Sequence, residues 1–163
     1  MRVVGVLFLS LLPVLWGGDL YRTMHRRAHT LSDFTRFILF VREQIRYSAR
    51  ELDEIFSLAL RQPPFAAPLY ETLAHSRGKA EHLTERLLSV RGTGLKREDA
   101  RLITEFYDGL GRDDTKGQLA HCDYYRERLE RQADEARRCL KQKGRLTVSL
   151  ALSGAAALFI LMI

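Results

Sequence analysis

Apolar residues crowd the two ends of the chain and are spaced periodically through its middle. Residues 3–18 and 146–163 hold no charged side chain, so nearly every ionisable group lies between them. The second run, LTVSLALSGAAALFILMI, has eighteen residues. As a helix it rises roughly 27 Å, against a hydrocarbon core of about 30 Å. It has no polar face beyond Thr147, Ser149 and Ser153, which favours a transmembrane helix over a buried core helix. The first run is shorter and contains Pro13; Arg2 ahead of it suits a secretory signal. Leu15-Trp16-Gly17 is a poor cleavage site, however, and Arg22, Arg26 and Arg27 follow directly, a basic flank that resists translocation. An uncleaved anchor over residues 1–21 is therefore expected, with a soluble domain over 22–145 and a C-terminal span over 146–163.

The middle segment reads as helix. Phe34, Ile38, Val41, Ile45, Ala49, Leu52, Phe56 and Ala59 recur at spacings of three and four, predicting one long amphipathic helix capped near Thr30 or Ser32 and stopped by Pro63-Pro64. Within it Phe37-Ile38-Leu39-Phe40-Val41 is apolar on every side, as a core segment or a partner groove would be. Shorter helices should carry Leu69 and Leu73, then Leu83, Leu87 and Val90, followed by a turn at Gly92-Thr93-Gly94 that is too short for a phosphate loop. Leu102, Ile103, Phe106 and Leu110 restore the stripe, and Gly111 suits a left-handed helix terminus. Asp113 and Asp114 open the final helix, where Thr115 and Gln118 have capping-box spacing. Its stripe of Leu119, Cys122, Leu129, Ala133, Ala136 and Leu140 is broken by Arg126 and meets no helix breaker before the last span except Gly144. This seam packs either on its own bundle or on another chain, so an oligomer stays open. The fold class is all-α: a small helical bundle flanked by an N-terminal and a C-terminal transmembrane helix.

Charge sets the orientation. The chain has 163 residues, with 26 Lys plus Arg against 20 Asp plus Glu. All of these but Arg2 fall within 19–145, leaving 25 basic against 20 acidic residues there. Basic residues beside a span stay on the cytoplasmic side, and both flanks face the middle: Arg22, Arg26 and Arg27 on one side, Lys141, Lys143 and Arg145 on the other. The bundle is thus placed in the cytoplasm, with both termini outside. Recognition of anionic lipid or nucleic acid is the alternative use of this charge, but the acidic residues are interspersed and topology absorbs most of the excess.

Chemistry is scarce. Cys122 and Cys139 are seventeen positions apart on one predicted helix, roughly 25 Å along its axis, too far to bridge. His25 and His29 have i, i+4 spacing but sit among arginines, with no carboxylate seen at matching spacing. His121-Cys122-Asp123 points its groups about 100° apart. No HExxH, CxxC, GxSxG or Walker A sequence occurs, and no carboxylate pair stands out. Neither an enzyme nor a cofactor or metal site is expected.

The segment LGRDDTKGQ at 110–118 resembles the LGxxDxxxQ signature of the stage III sporulation protein AB family. Ile45-Arg46-Tyr47 with Leu52, and Ser149-Leu150-Ala151-Leu152-Ser153-Gly154, are similar to two further segments of that family. The resemblance spans most of the chain. It implies a part in a channel-like, secretion-related assembly made in the mother cell around the engulfed forespore. It also implies a soluble domain similar to the cytoplasmic domains of type II secretion and type IV pilus platform proteins. On that analogy the chain is a non-enzymatic membrane platform subunit docking a cytoplasmic ATPase, the AA member of the same operon, alongside the operon's other subunits. Leu110, Gly111, Asp114 and Gln118 belong to the motif; Asp114 and Gln118 serve either a docking surface or the helix start itself.

Overall fold

The computed structural model describes the backbone of residues 2–48, 51–65, 67–76 and 82–162, and side chains of the described residues from 21 to 142. Among the described residues there are six α-helices and no strand: α1 (Arg2–Ser48), α2 (Leu52–Leu60), α3 (Pro68–Ala74), α4 (Leu83–Ser89), α5 (Arg97–Gly109) and α6 (Thr115–Met162), with a 3₁₀ turn at Pro63–Phe65.

Two expectations about the first helix are corrected. It does not begin near Thr30 or Ser32 but runs through both. Their hydroxyls are used elsewhere: Thr30 Oγ1 donates to the Thr93 carbonyl at 3.0 Å, and Ser32 Oγ accepts from Arg137 of α6. Nor does one helix extend to Ala59, because α1 ends at Ser48 and α2 starts at Leu52 after an extended Glu51. The reason is packing. Nineteen residues of straight helix would separate Phe37 from Phe56 by roughly 29 Å, yet their ring centroids are 5.5 Å apart. The chain must fold back to bring Ile55, Phe56 and Ala59 into the core.

The long helices α1 and α6 form the spine. Moving along α1 from Arg27 to Arg42 moves back along α6 from Gln132 to Asp123, so the pair is antiparallel. Leu31, Phe34, Ile38, Val41 and Ile45 of α1 are buried together with Cys122, Leu129, Ala133 and Ala136 of α6. Most of both expected stripes is thus core, with Leu52, Leu119 and Leu140 half-buried and Ala49 outside the described residues. Phe37 is buried as well, Phe40 is half-buried against the core, and only Leu39 of that apolar run is exposed, so the run serves mainly as core. Aromatic rings close the distal half: Phe37 lies 5.0 Å from Tyr70, and Phe34 meets Phe106 edge-on at 5.9 Å. Helix α5 packs with its neighbours α4 and α6, burying Ala100, Leu102, Ile103 and Phe106.

The two transmembrane assignments fall on segments whose side chains lie outside the described residues. Among the described residues no helix is long and apolar enough to cross a membrane. The backbone of α6 continues as helix through Gly144 to Met162, and that of α1 starts at Arg2. Because α1 and α6 are antiparallel, the segments before Tyr21 and after Gln142 leave the bundle at the same end, here called the base.

Candidate functional site

At the base the expected basic flank divides. Arg22, Arg26 and Lys141 are exposed, whereas Arg27 is buried; Lys143 and Arg145 lie outside the residues with described side chains. Arg27 is therefore not a free membrane flank. Its Nε and Nη2 donate to Asp99 at 2.6 and 2.8 Å, a two-pronged pair, and Nη2 also reaches Gln132 Oε1 at 3.1 Å. The hydrogen bond to Asp99 holds the Arg27 guanidinium above its ordinary pKa, although burial acts the other way. One side chain of α1 thereby ties the start of α5 to the middle of α6.

Neither Asp99 nor Gln132 was picked out by the sequence pattern. A signal for Asp99 existed: it shares a face with Leu102, Ile103 and Phe106, so its carboxylate must enter the core and find a partner there. Its Oδ2 also accepts the Lys96 backbone N–H at 2.9 Å, satisfying an orphan donor at the helix start.

The turn at Gly92-Thr93-Gly94 docks on the same stretch of α1. Gly94 has φ +66°, and a Cβ there would come within 2.5 Å of the Thr23 carbonyl and 2.9 Å of the Arg27 nitrogen. Only glycine lets the backbones approach so closely. With Thr30 holding the Thr93 carbonyl, the α4–α5 connection is clamped along one side of the base.

The motif at 110–118 lies at the opposite, distal end. Leu110 closes α5, its backbone N–H donating to the Tyr107 carbonyl, and Gly111 takes φ +80°, as its residue type predicts. The capping expectation is corrected by one position. Thr115 is the first helical residue, and Asp114 caps instead: its Oδ1 accepts the Gly117 N–H at 2.8 Å. Gln118 does not close a capping box either, since its Nε2 donates to the Asp113 carbonyl at 2.9 Å. A carboxylate outcompetes a hydroxyl here because it also answers the positive end of the helix dipole. Residues 111–116 are exposed, so Asp114 and Gln118 build the loop while Arg112, Asp113 and Lys116 present it to solvent.

The remaining candidates separate. His121 Nε2 lies 2.9 Å from the Phe106 carbonyl, Cys122 is buried, and Asp123 reaches Arg42 at 2.9 Å, so the three groups do not converge. His29 does have a carboxylate at matching spacing, contrary to expectation: Asp33, one turn on, lies 2.6 Å from its Nδ1. Among the described residues no group of three or more His, Cys, Asp or Glu is placed to hold a metal ion. Burial pushes the Cys122 thiol up to about 12, with Asp123 adding to the effect and Arg42 opposing it.

Compared with known proteins, the chain matches the model of one family over residues 2–163, that of stage III sporulation protein AB. Neither a curated protein nor a solved structure matches it.

Proposed function

The chain belongs to the stage III sporulation protein AB family, and from that premise we propose that it is a non-enzymatic membrane platform subunit of a secretion-like assembly acting in endospore formation. Its bundle stands on the mother-cell membrane on two apolar legs and offers its distal end to a cytoplasmic ATPase. The observation that carries this reading is the antiparallel pairing of α1 and α6. Both apolar segments leave from the base, and the exposed loop at 111–116 is left at the far end. Two legs fix the rotation of the body as well as its height, which suits a part that passes position from a cytoplasmic partner to membrane neighbours. The buried Arg27–Asp99 pair gives the joint between legs and body a rigid cross-tie.

The test is retention of the sporulation ATPase encoded beside this chain by the detergent-solubilised full chain. Wild type should retain it. The charge-reversed loop variant R112E/K116E should lose retention by about tenfold or more, since like charges facing each other across an interface are strongly unfavourable. Failure of wild type to retain the ATPase, or equal retention by the variant, would remove this reading.

A further inference from the structure

The orientation rule for basic flanks explains cations next to a span, but it does not explain Arg91 and Lys96, which are more than sixty residues from Arg22 in sequence and distant from both apolar segments. The fold carries the turn between them to the base all the same. Gly94 touches the α1 backbone at Thr23 and Arg27, and the Lys96 N–H shares Asp99 with the Arg27 side chain. Thr23 and Arg27 are the first turns of α1 beyond its apolar segment. Lys96 therefore stands about two helical turns or less from where the leg emerges, roughly one Debye length at physiological salt.

Several surface arginines are matched by a carboxylate three or four residues away: Arg101 with Glu105, Arg112 with Asp108, Arg126 with Glu130, Arg131 with Glu127 and Arg137 with Asp134. At the base, Arg22, Arg26, Arg91, Lys96, Arg138 and Lys141 are exposed, and among the described residues none of them is placed in an ion pair. Among the described side chains the carboxylates near this end are Asp99, consumed by Arg27, Asp134, paired with Arg137, and the exposed Glu98 and Glu135, both close enough to act on Arg27. They leave the rim strongly positive.

We infer that the α4–α5 turn, through Arg91 and Lys96, joins the two leg bases in a basic rim that binds anionic phospholipid headgroups and seats the bundle against the membrane. Charge complementarity and the exit of both apolar legs at this end select a lipid surface over a free anion or a nucleic acid. The rim thus adds a third contact, remote in sequence, to the two legs. The inference rests on the membrane reading above but not on the ATPase.

The experiment uses the full chain in lipid nanodiscs, with lysine acetylation by a soluble succinimidyl ester read by mass spectrometry. Discs of phosphatidylcholine are compared with discs containing equimolar phosphatidylglycerol. Lys96 should be acetylated about fivefold more slowly on the anionic discs. The protection should vanish in about 1 M salt, where screening shortens to about 3 Å. Lys116, exposed at the distal end, should react equally on both. Equal acetylation of Lys96 on the two lipids, with the chain firmly in the disc, overturns the rim alone. A full chain that never enters the discs overturns the rim and the membrane reading together, and leaves ATPase retention to be judged separately.

Discussion

Arg27 of α1 and Asp99 of α5 are 72 residues apart in sequence and share two hydrogen bonds, of 2.6 and 2.8 Å, inside the protein. Both side chains are nearly inaccessible, at 9% and 0% exposure, so the pair is not screened by solvent. Removing one partner leaves the other as a buried charge with too few contacts. Arg27→Ala or Asp99→Asn should lower the unfolding free energy by about 3 kcal/mol or more. The apolar double variant R27M/D99L should lose clearly less than the two single losses together. Urea unfolding of the detergent-solubilised full chain, followed by helical circular dichroism, measures all four proteins. A single variant within about 0.5 kcal/mol of wild type would mean that the pair contributes little.

The turn that rests on α1 gives a contrast between two glycines. Gly92 and Gly94 both have positive φ, 88° and 66°, but a Cβ at Gly92 meets nothing within 4 Å whereas one at Gly94 meets backbone at 2.5 Å. Gly92→Ala should therefore cost about 1–2 kcal/mol, the left-handed penalty alone. Gly94→Ala should cost distinctly more, because α1 backbone cannot move aside as a side-chain tip can. It should also speed hydrogen exchange of the amides between 92 and 97. Equal losses for the two variants would show that the turn does not need its close approach to α1.

The helical periods were legible in the sequence because a stripe such as Phe34, Ile38, Val41 and Ile45 has only one solution, burial against a similar stripe. What the period could not show was the break after Ser48. A helix of correct spacing continues through Leu52 to Ala59 on paper, and only the size of the core decides that Phe56 must return to Phe37. Arg27 was misread for a related reason. Its neighbours Arg22 and Arg26 are solvated, and one arginine of three cannot be told apart until a buried carboxylate from a distant helix is found to face it. The motif at 110–118 was legible as a helix junction, yet the choice of Asp114 over Thr115 as the cap turns on a single peptide rotation. The basic rim at the base was not legible at all, since it depends on where the α4–α5 turn lands.

Two buried acids should weaken the fold at alkaline pH. Burial raises the Cys122 thiol from 9.0 to about 12 and moves the Tyr70 phenol above its ordinary value in the same direction. A group whose pKa is higher in the folded state holds its proton more tightly there. The stability it contributes is complete below its unfolded pKa and is lost as pH rises through the folded value. For Cys122 the window runs from about 9 to about 12, with a slope near 1.4 kcal/mol per pH unit when a full proton is released. Urea midpoints should be flat from about pH 7 to 8 and fall above about pH 9. Cys122→Ala should flatten the first part of that fall. In the native protein at about pH 8, maleimide should modify the half-buried Cys139 well before Cys122. Fast modification of Cys122 would show that its surroundings open readily.

At the distal end, neighbouring substitutions separate a helix cap from a bystander. Asp114 Oδ1 accepts the Gly117 N–H at 2.8 Å, while Thr115, already inside α6, has an exposed side chain. Asp114→Ala should cost about 1 kcal/mol, and Asp114→Asn less, since the amide oxygen retains the hydrogen bond while losing the charge that favours the helix start. Thr115→Ala should change stability by no more than about 0.5 kcal/mol. Because Asp114 shapes the loop that carries Arg112 and Lys116, D114A should also weaken ATPase retention, and D114N should restore it in step with stability. Reversed ranking, with Thr115→Ala the more damaging, would move the start of α6 and return the capping box to Thr115 and Gln118.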